Sequence, residues 1–157
     1  MARKEKHSES HKLTEEEKRV TELVRQRMKE SKSTELFGFD VERVHDGRAV
    51  FRLDVRPSHK QIHNVVHGGI IAALADTTAA IAAYTAVPRG VELATLELKI
   101  NYLEPVSGGT IKADARVLRL GQTTSVVDCE VTDQDRRLVA KALMTLSLIH
   151  ISEPTRP

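Results

Sequence analysis

The chain has 157 residues, 40% apolar, 29% charged and only 3% aromatic, with a formal net charge of +2. That length suits one domain able to bury roughly two thirds of its unfolded surface. Residues 1–32 carry 10 Lys/Arg against 7 Asp/Glu and the remainder 14 against 15, so the body has neither a basic face nor rings on which bases could stack, and nucleic-acid binding is not expected.

The N-terminus, "MARKEKHSESHK", runs into charged helix with no apolar stretch of the kind a secretory signal carries. A lone cysteine, Cys129, cannot form an internal disulfide. Both features point to the cytoplasm. Residues 1–33 read as a charged tail and one amphipathic helix. Thr14 and Glu17 form a capping box, and Val20, Leu23, Val24 and Met28 make a narrow apolar stripe suited to lying on the domain or on a partner.

From Phe37 the period becomes two. "FGFDVERV" and "RAVFRLDV" predict strands joined at Asp46-Gly47, a strong hairpin signal. A polar connector, "RPSHKQIHN", leads to the most apolar segment, Val65 to Val87, which Pro88 and Gly90 close. Four further strands are predicted at Glu92–Leu103, Thr110–Leu120, Ser125–Thr132 and Leu138–Ile149. In the first, Leu96, Leu98, Ile100 and Tyr102 face one way and Glu97, Lys99 and Asn101 the other. Short turns between consecutive strands imply an antiparallel sheet. The tail from residue 150, "HISEPTRP", breaks the strand pattern and reads as non-native or disordered, outside a domain spanning residues 34–149.

Val65–Val87 is long enough to cross a bilayer, but eight alanines, three threonines, two glycines and Asp76 make a poor lipid-facing helix. As a helix starting near His67 it splits by size. Ile70, Leu74, Thr77, Ile81 and Tyr84, with Ile71 beside them, are expected to anchor it in the sheet. Gly69, Ala72, Ala73, Ala79, Ala80 and Ala83 share the face of Asp76 and would admit a second backbone or a slim ligand. A carboxylate buried without a partner is costly; Asp76 therefore serves either packing, through a hydrogen bond, or chemistry. The turn His67-Gly68-Gly69 favours chemistry, because free N–H groups at a helix start suit a polarised carbonyl or an oxyanion. Asp76 lies eight residues beyond Gly68, roughly 12 Å along a helix, so the two cannot act on one atom. If they cooperate, the acid must meet the turn of a second copy in a two-fold dimer.

The two N-terminal strands, "HNVVHGGIIAALADTTAA" and the "NYLEP" strand end together resemble the hotdog-fold acyl-CoA thioesterases of the PaaI-like, phenylacetate-pathway type, over about residues 34–149. The resemblance implies an α+β hotdog fold, a curved antiparallel sheet wrapped around one long central helix, here with an extra N-terminal helix. It also implies dimers that pair into tetramers and hydrolysis of acyl-CoA at the dimer interface without a cofactor. Carried over by position, Gly68 would supply the oxyanion-binding N–H and Asp76 of the other subunit the general base or nucleophile. Gln61 would supply an amide that polarises the thioester carbonyl, where many relatives have asparagine. Thr95 would orient water, and His67 would position the turn. Gly69, Arg119, Gly121 and Gln122 are candidates for contact with substrate or CoA. Either aryl-acetyl or medium-chain acyl groups fit the resemblance.

Two other readings remain at this stage. His59, His63 and His67 are four apart and could bind a metal on one helical face, although Pro57 and the polar connector argue for an irregular loop and no metal is expected. Alternatively, the domain binds acyl-CoA as a sensor or scaffold without turning it over.

Overall fold

A computed structural model describes residues 13–150, so the charged segment 1–12 and the tail 151–157 lie outside the described residues. The first element is α1 (Glu15–Met28), started by Thr14, whose side chain accepts the Glu17 N–H while the Glu17 carboxylate accepts the Thr14 N–H. The apolar stripe packs inward through Val20, Val24 and Met28, but Leu23 is exposed. The inward turn of the helix is completed by Thr21 and Glu17, both buried.

These two polar residues have specific work. Strand β1 (Phe39–His45) is an edge of the sheet, and its outward backbone groups need partners. Thr21 Oγ1 accepts the Val44 N–H at 3.0 Å and lies 3.4 Å from the Val44 carbonyl, and the Arg25 guanidinium donates to the Val41 carbonyl at 2.6 Å. The side chains of α1 thereby stand in for a missing strand. Glu17 pairs with Arg43 of β1. The Thr14 N–H, and after it the Arg43 guanidinium, hold the Glu17 carboxyl at about 2, well below 4.5. A depressed carboxylate stabilises the fold fully above its unfolded value and loses that contribution as pH falls through the folded one. The difference in urea midpoint between wild type and Glu17→Gln should therefore be constant above pH 4.5 and close between there and about pH 2.

A short helix the sequence pattern did not reveal, α2 (Lys32–Phe37), follows. Its N-cap is Ser31 and it ends at Gly38, whose φ of 73° is the left-handed cap conformation. The first strand accordingly begins at Phe39 and not at Phe37, and the two rings stack 5.2 Å apart across the junction. Strand β2 (Arg48–Asp54) returns through Asp46 and Gly47, both at positive φ (34° and 75°), as a two-residue hairpin turn requires.

After a 3₁₀ turn at Pro57–His59 and a loop, the long helix α3 (Gly68–Tyr84) crosses the sheet. Strands β3 (Val91–Tyr102), β4 (Thr110–Leu120), β5 (Thr124–Asp133) and β6 (Leu138–His150) complete one six-stranded antiparallel sheet in the order β1-β2-β4-β5-β6-β3. This is the hotdog arrangement, α+β, with the sheet curved around α3. His150 still pairs with Val91, so the strand runs past the expected start of the tail.

The core lies between α3 and the sheet, where Phe51, Leu53, Leu74, Ile111, Met144 and Leu146 are fully buried. The helix does not sit as its residue sizes suggested. Its sheet-facing side is Ile71, Leu74, Ala75, Thr78, Ala79, Ala82 and Ala83, mostly small residues that let the helix approach the strands closely. Ile70, Thr77 and Ile81 are only half-buried and Tyr84 is exposed. The reason is physical: α3 is apolar almost all round, so periodicity carries little information about which side meets the sheet. No helix among the described residues is long and apolar enough to cross a membrane.

Candidate active site

Two features of α3 face outward. At its N-terminus His67 is the N-cap, and its Nδ1 accepts the Gly69 N–H at 2.9 Å. The His67 carbonyl receives the N–H of Ile70 at 2.9 Å, and the Tyr102 hydroxyl donates to the Gly68 carbonyl at 2.8 Å. The Gly68 N–H alone in this turn has no hydrogen-bond partner among the described residues. Gly68 itself lines a groove of about 320 Å³, with Val65, Val66, Ile71, Tyr102, Leu103 and Pro105. Gly69 thus spends its N–H on the histidine, and Gly68 is the residue left able to donate.

Midway along the helix, Asp76 is half-buried and has one partner: Thr95 Oγ1 of β3 donates to its Oδ1 at 2.8 Å. The acid is therefore half-buried and hydrogen-bonded to a hydroxyl, as the packing alternative allowed. The contact depends on a β-bulge. Strict alternation would put Thr95 on the outer side with Glu97 and Lys99, but the register slips between Thr95 and Glu97. Thr95 then pairs with Leu146, which is buried, and shares the helix-facing side with Leu98 and Ile100, while Leu96 is left 63% exposed. The extra residue re-aims the hydroxyl at the carboxylate.

Gln61 sits in the loop before α3, which is drawn shut by the Lys60–Val66 bridge and by the Gln61 N–H on the Val65 carbonyl at 2.9 Å. Its Oε1 accepts the His63 N–H at 3.2 Å, which engages the oxygen within the loop and leaves the amide NH2 as the free end.

The three histidines do not line one helix face. His59 is buried on the 3₁₀ turn, with Nδ1 accepting the Arg56 N–H at 3.0 Å; burial first, and then the Arg56 charge, lower its pKa below 6.5. His63 is exposed in the loop, and His67 caps α3. The chain is extended at Lys60 and left-handed at Asn64 (φ 61°), so the helical register on which a shared metal depended is broken.

Arg119, at the end of β4, and Gly121 and Gln122, in the following turn, lie elsewhere. Gly121 and Gln122 border an apolar groove of about 410 Å³ with Val87, Pro88, Val91, Leu120 and Leu148. That groove is at the C-terminal end of α3, roughly 25 Å along the helix from Gly68 of the same chain. Within one chain the structure brings Asp76 to Thr95 and Gly68 to Tyr102 and His67, and leaves the proposed nucleotide contacts apart from both. Tyr102 is the residue that sequence reasoning left without a role, although it stood in the "NYLEP" strand end.

The thioesterase superfamily matches residues 63–140, from the loop before α3 to the start of β6. The acyl-coenzyme A thioesterase PaaI of Escherichia coli is 32% identical over 104 residues, which cover 66% of this chain and 72% of that protein. A 1,4-dihydroxy-2-naphthoyl-CoA hydrolase of Listeria monocytogenes is 27% identical over 73% of this chain and 93% of its own. The solved structure of the E. coli PaaI protein, from the phenylacetic acid degradation operon, superposes with a TM-score of 0.73 at 28% identity, covering 79% of this chain and 89% of that one. With the six-stranded sheet, its enclosed helix and these likenesses in hand, the chain belongs to the thioesterase superfamily, in its hotdog-fold, PaaI-like branch of acyl-CoA thioesterases.

Proposed function

We propose that the protein hydrolyses acyl-CoA to free acid and CoA at two equivalent sites, each shared between two copies of the chain. The observation that carries this reading is the separation, on one rigid helix, of an unpaired N–H at Gly68 from a Thr95-held carboxylate at Asp76, roughly 12 Å on. Neither completes a thioesterase site within its own chain. On the side of α3 that bears Asp76, Ala72, Ala73 and Ala80 are left half-buried, and among the described residues the adjoining strand β3 pairs with β6 alone, its other edge open. Leu96, Tyr102 and Tyr84 are exposed along this side, 63%, 50% and 39% respectively. A second copy related by a two-fold axis would cover them and bring its acid to the first copy's Gly68. Such dimers would pair into tetramers.

In this arrangement the thioester carbonyl lies against the Gly68 N–H and the Gln61 amide, which stabilise negative charge as it develops on oxygen. His67 keeps the Gly69 N–H occupied, so the turn offers a single donor. Asp76 of the other copy, held by Thr95, takes a proton from water as the water oxygen attacks carbon, or attacks carbon itself to form, once the thiolate has left, a mixed anhydride that water then hydrolyses to the free acid and Asp76. The C–S bond then breaks and CoA leaves as a thiolate, which needs no metal or cofactor to depart. Gly121, Gln122 and Arg119 would hold the nucleotide end of CoA, and the substrates are aryl-acetyl or medium-chain acyl thioesters.

Within the cell the only cysteine would be a bystander: Cys129 is buried in β5, and burial pushes its thiol up to about 12. A thiol-release assay over a panel of acyl-CoAs tests the reading. Release of one thiol per acid from phenylacetyl or C6–C12 thioesters is the expected result; tight acyl-CoA binding with no thiol released across the panel would replace hydrolysis with a binding role.

A further inference from the structure

The start of α3 carries two successive glycines, Gly68 and Gly69, and glycine is the residue least able to hold its own backbone in one conformation. A catalytic N–H placed there gains nothing unless the peptide planes around it are fixed, because misplacement of a donor by an ångström removes most of its effect. The peptide linking Gly68 to Gly69 is held from both sides. Its N–H donates to His67 Nδ1 at 2.9 Å and its carbonyl accepts the Tyr102 hydroxyl at 2.8 Å. The second contact comes from 34 residues away, at the last position of β3, and so ties the turn to the sheet. The ring of Tyr102 also lies against the Gly68 α-carbon: a methyl group added there would approach the ring at 3.1 Å.

Resting on the hydrolase reading above, we propose that Tyr102 is a positioning residue for thioester hydrolysis, whose hydroxyl clamps the Gly68 carbonyl and so limits rotation about the Gly68 α-carbon that carries the free N–H at the wall of the groove. It acts through Gly68 and does not itself donate to the substrate oxygen, since its one proton is already given to the Gly68 carbonyl. It also differs from a packing residue. No other polar contact is made by its hydroxyl among the described residues, and Phe would fill the same space within the chain and at the proposed dimer seam, so Tyr102→Phe removes the hydrogen bond and leaves the packing.

The test is Tyr102→Phe in the full chain, followed by kinetics and by amide NMR. We expect kcat to fall about tenfold, the equivalent of one neutral hydrogen bond. KM should stay within about twofold because ground-state binding is untouched. A CoA-linked trifluoromethyl ketone, which forms a tetrahedral oxyanion, should bind more weakly by the same factor, while a thioether analogue of the substrate should bind as before. The Gly68 carbonyl and Gly69 amide resonances should shift, with the urea midpoint little changed. Wild-type kcat in Tyr102→Phe, or a rise in KM at constant kcat, would overturn the proposal. If the wild type released no thiol, the hydrolase reading would fail by that result alone, and the Gly68 and Gly69 resonances would still judge the clamp: shifted upholds it, unmoved overturns it.

Discussion

Asp76→Asn should give a folded, dimeric protein that binds acyl-CoA and turns it over with kcat lowered about 10²- to 10⁴-fold, the range over which a positioned acid–base group contributes. The substitution is close to isosteric. Asn Oδ1 can still accept the Thr95 hydroxyl that holds Asp76 Oδ1 at 2.8 Å, so the bulge in β3 and the packing of α3 keep their contact. What is lost is the charge and the ability to take a proton or attack carbon. Affinity for a non-hydrolysable thioether analogue should therefore change little, and KM should follow it wherever chemistry is slow. Asp76→Ala removes the Thr95 acceptor as well and should lose at least as much kcat, with some stability. Thiol release under saturating substrate, with calorimetric titration of the analogue, separates these effects; an Asn variant within threefold of wild type would remove Asp76 from the chemistry.

The second large effect concerns which chain supplies which group. Gly68→Pro deletes the N–H that has no partner in the turn, and the backbone can accept it: the position is the first of α3, where proline is favoured, and His67 before it is already extended, at φ −64° and ψ 132°. The expected loss is about 10²- to 10³-fold in kcat. Gly68→Ala, which brings a β-carbon to the same 3.1 Å from Tyr102 yet keeps the N–H, controls for crowding. Asp76→Asn and Gly68→Pro chains, each strongly impaired alone, are then co-expressed. If every site takes its acid from one chain and its amide from the other, a mixed dimer has one site with both defects and one with neither. Random pairing should return about one quarter of wild-type activity. If both groups came from the same chain, every site would stay defective and nothing would return. The two outcomes differ by orders of magnitude, so a simple thiol assay on the purified mixture is sufficient.

Most of the framework was legible from local chemistry. Asp46-Gly47 between alternating runs announced a two-residue hairpin, the turns at Gly121-Gln122 and Gln134-Asp135 joined antiparallel neighbours, and the His-Gly-Gly step located the start of the long helix within a residue. The short connection through Gly108-Gly109, by contrast, joins β3 and β4, which are not neighbours, since β3 pairs with β6 and β4 with β2. What escaped notice shares a cause: it depends on contacts between distant segments or on departures from regular period. The helix α2 is six residues long and held by local caps, too short to show periodicity. The orientation of α3 is set by the sheet's need for small residues at Ala75, Ala79 and Ala82, whereas the pattern of larger residues suggested another side. In β3, one extra residue near Leu96 moves Thr95 from the side shared with Glu97 and Lys99 to the side of Asp76. Tyr102 stood in view on the strand, yet its hydroxyl meets a carbonyl 34 positions earlier, a distance no spacing rule spans.

The two borders of the sheet have different fates. At β1 the Val44 N–H and the Val41 carbonyl are already answered by Thr21 and Arg25 of α1, while β3 has no such cover among the described residues. Growth by edge pairing would thus be open in one direction only, and the first copy to add would turn its own covered border outward. If copies pair through β3, as the proposed dimer requires, addition along the hydrogen-bonding direction would end after a single step, and α1, with little part in the chemistry, would be what closes the particle.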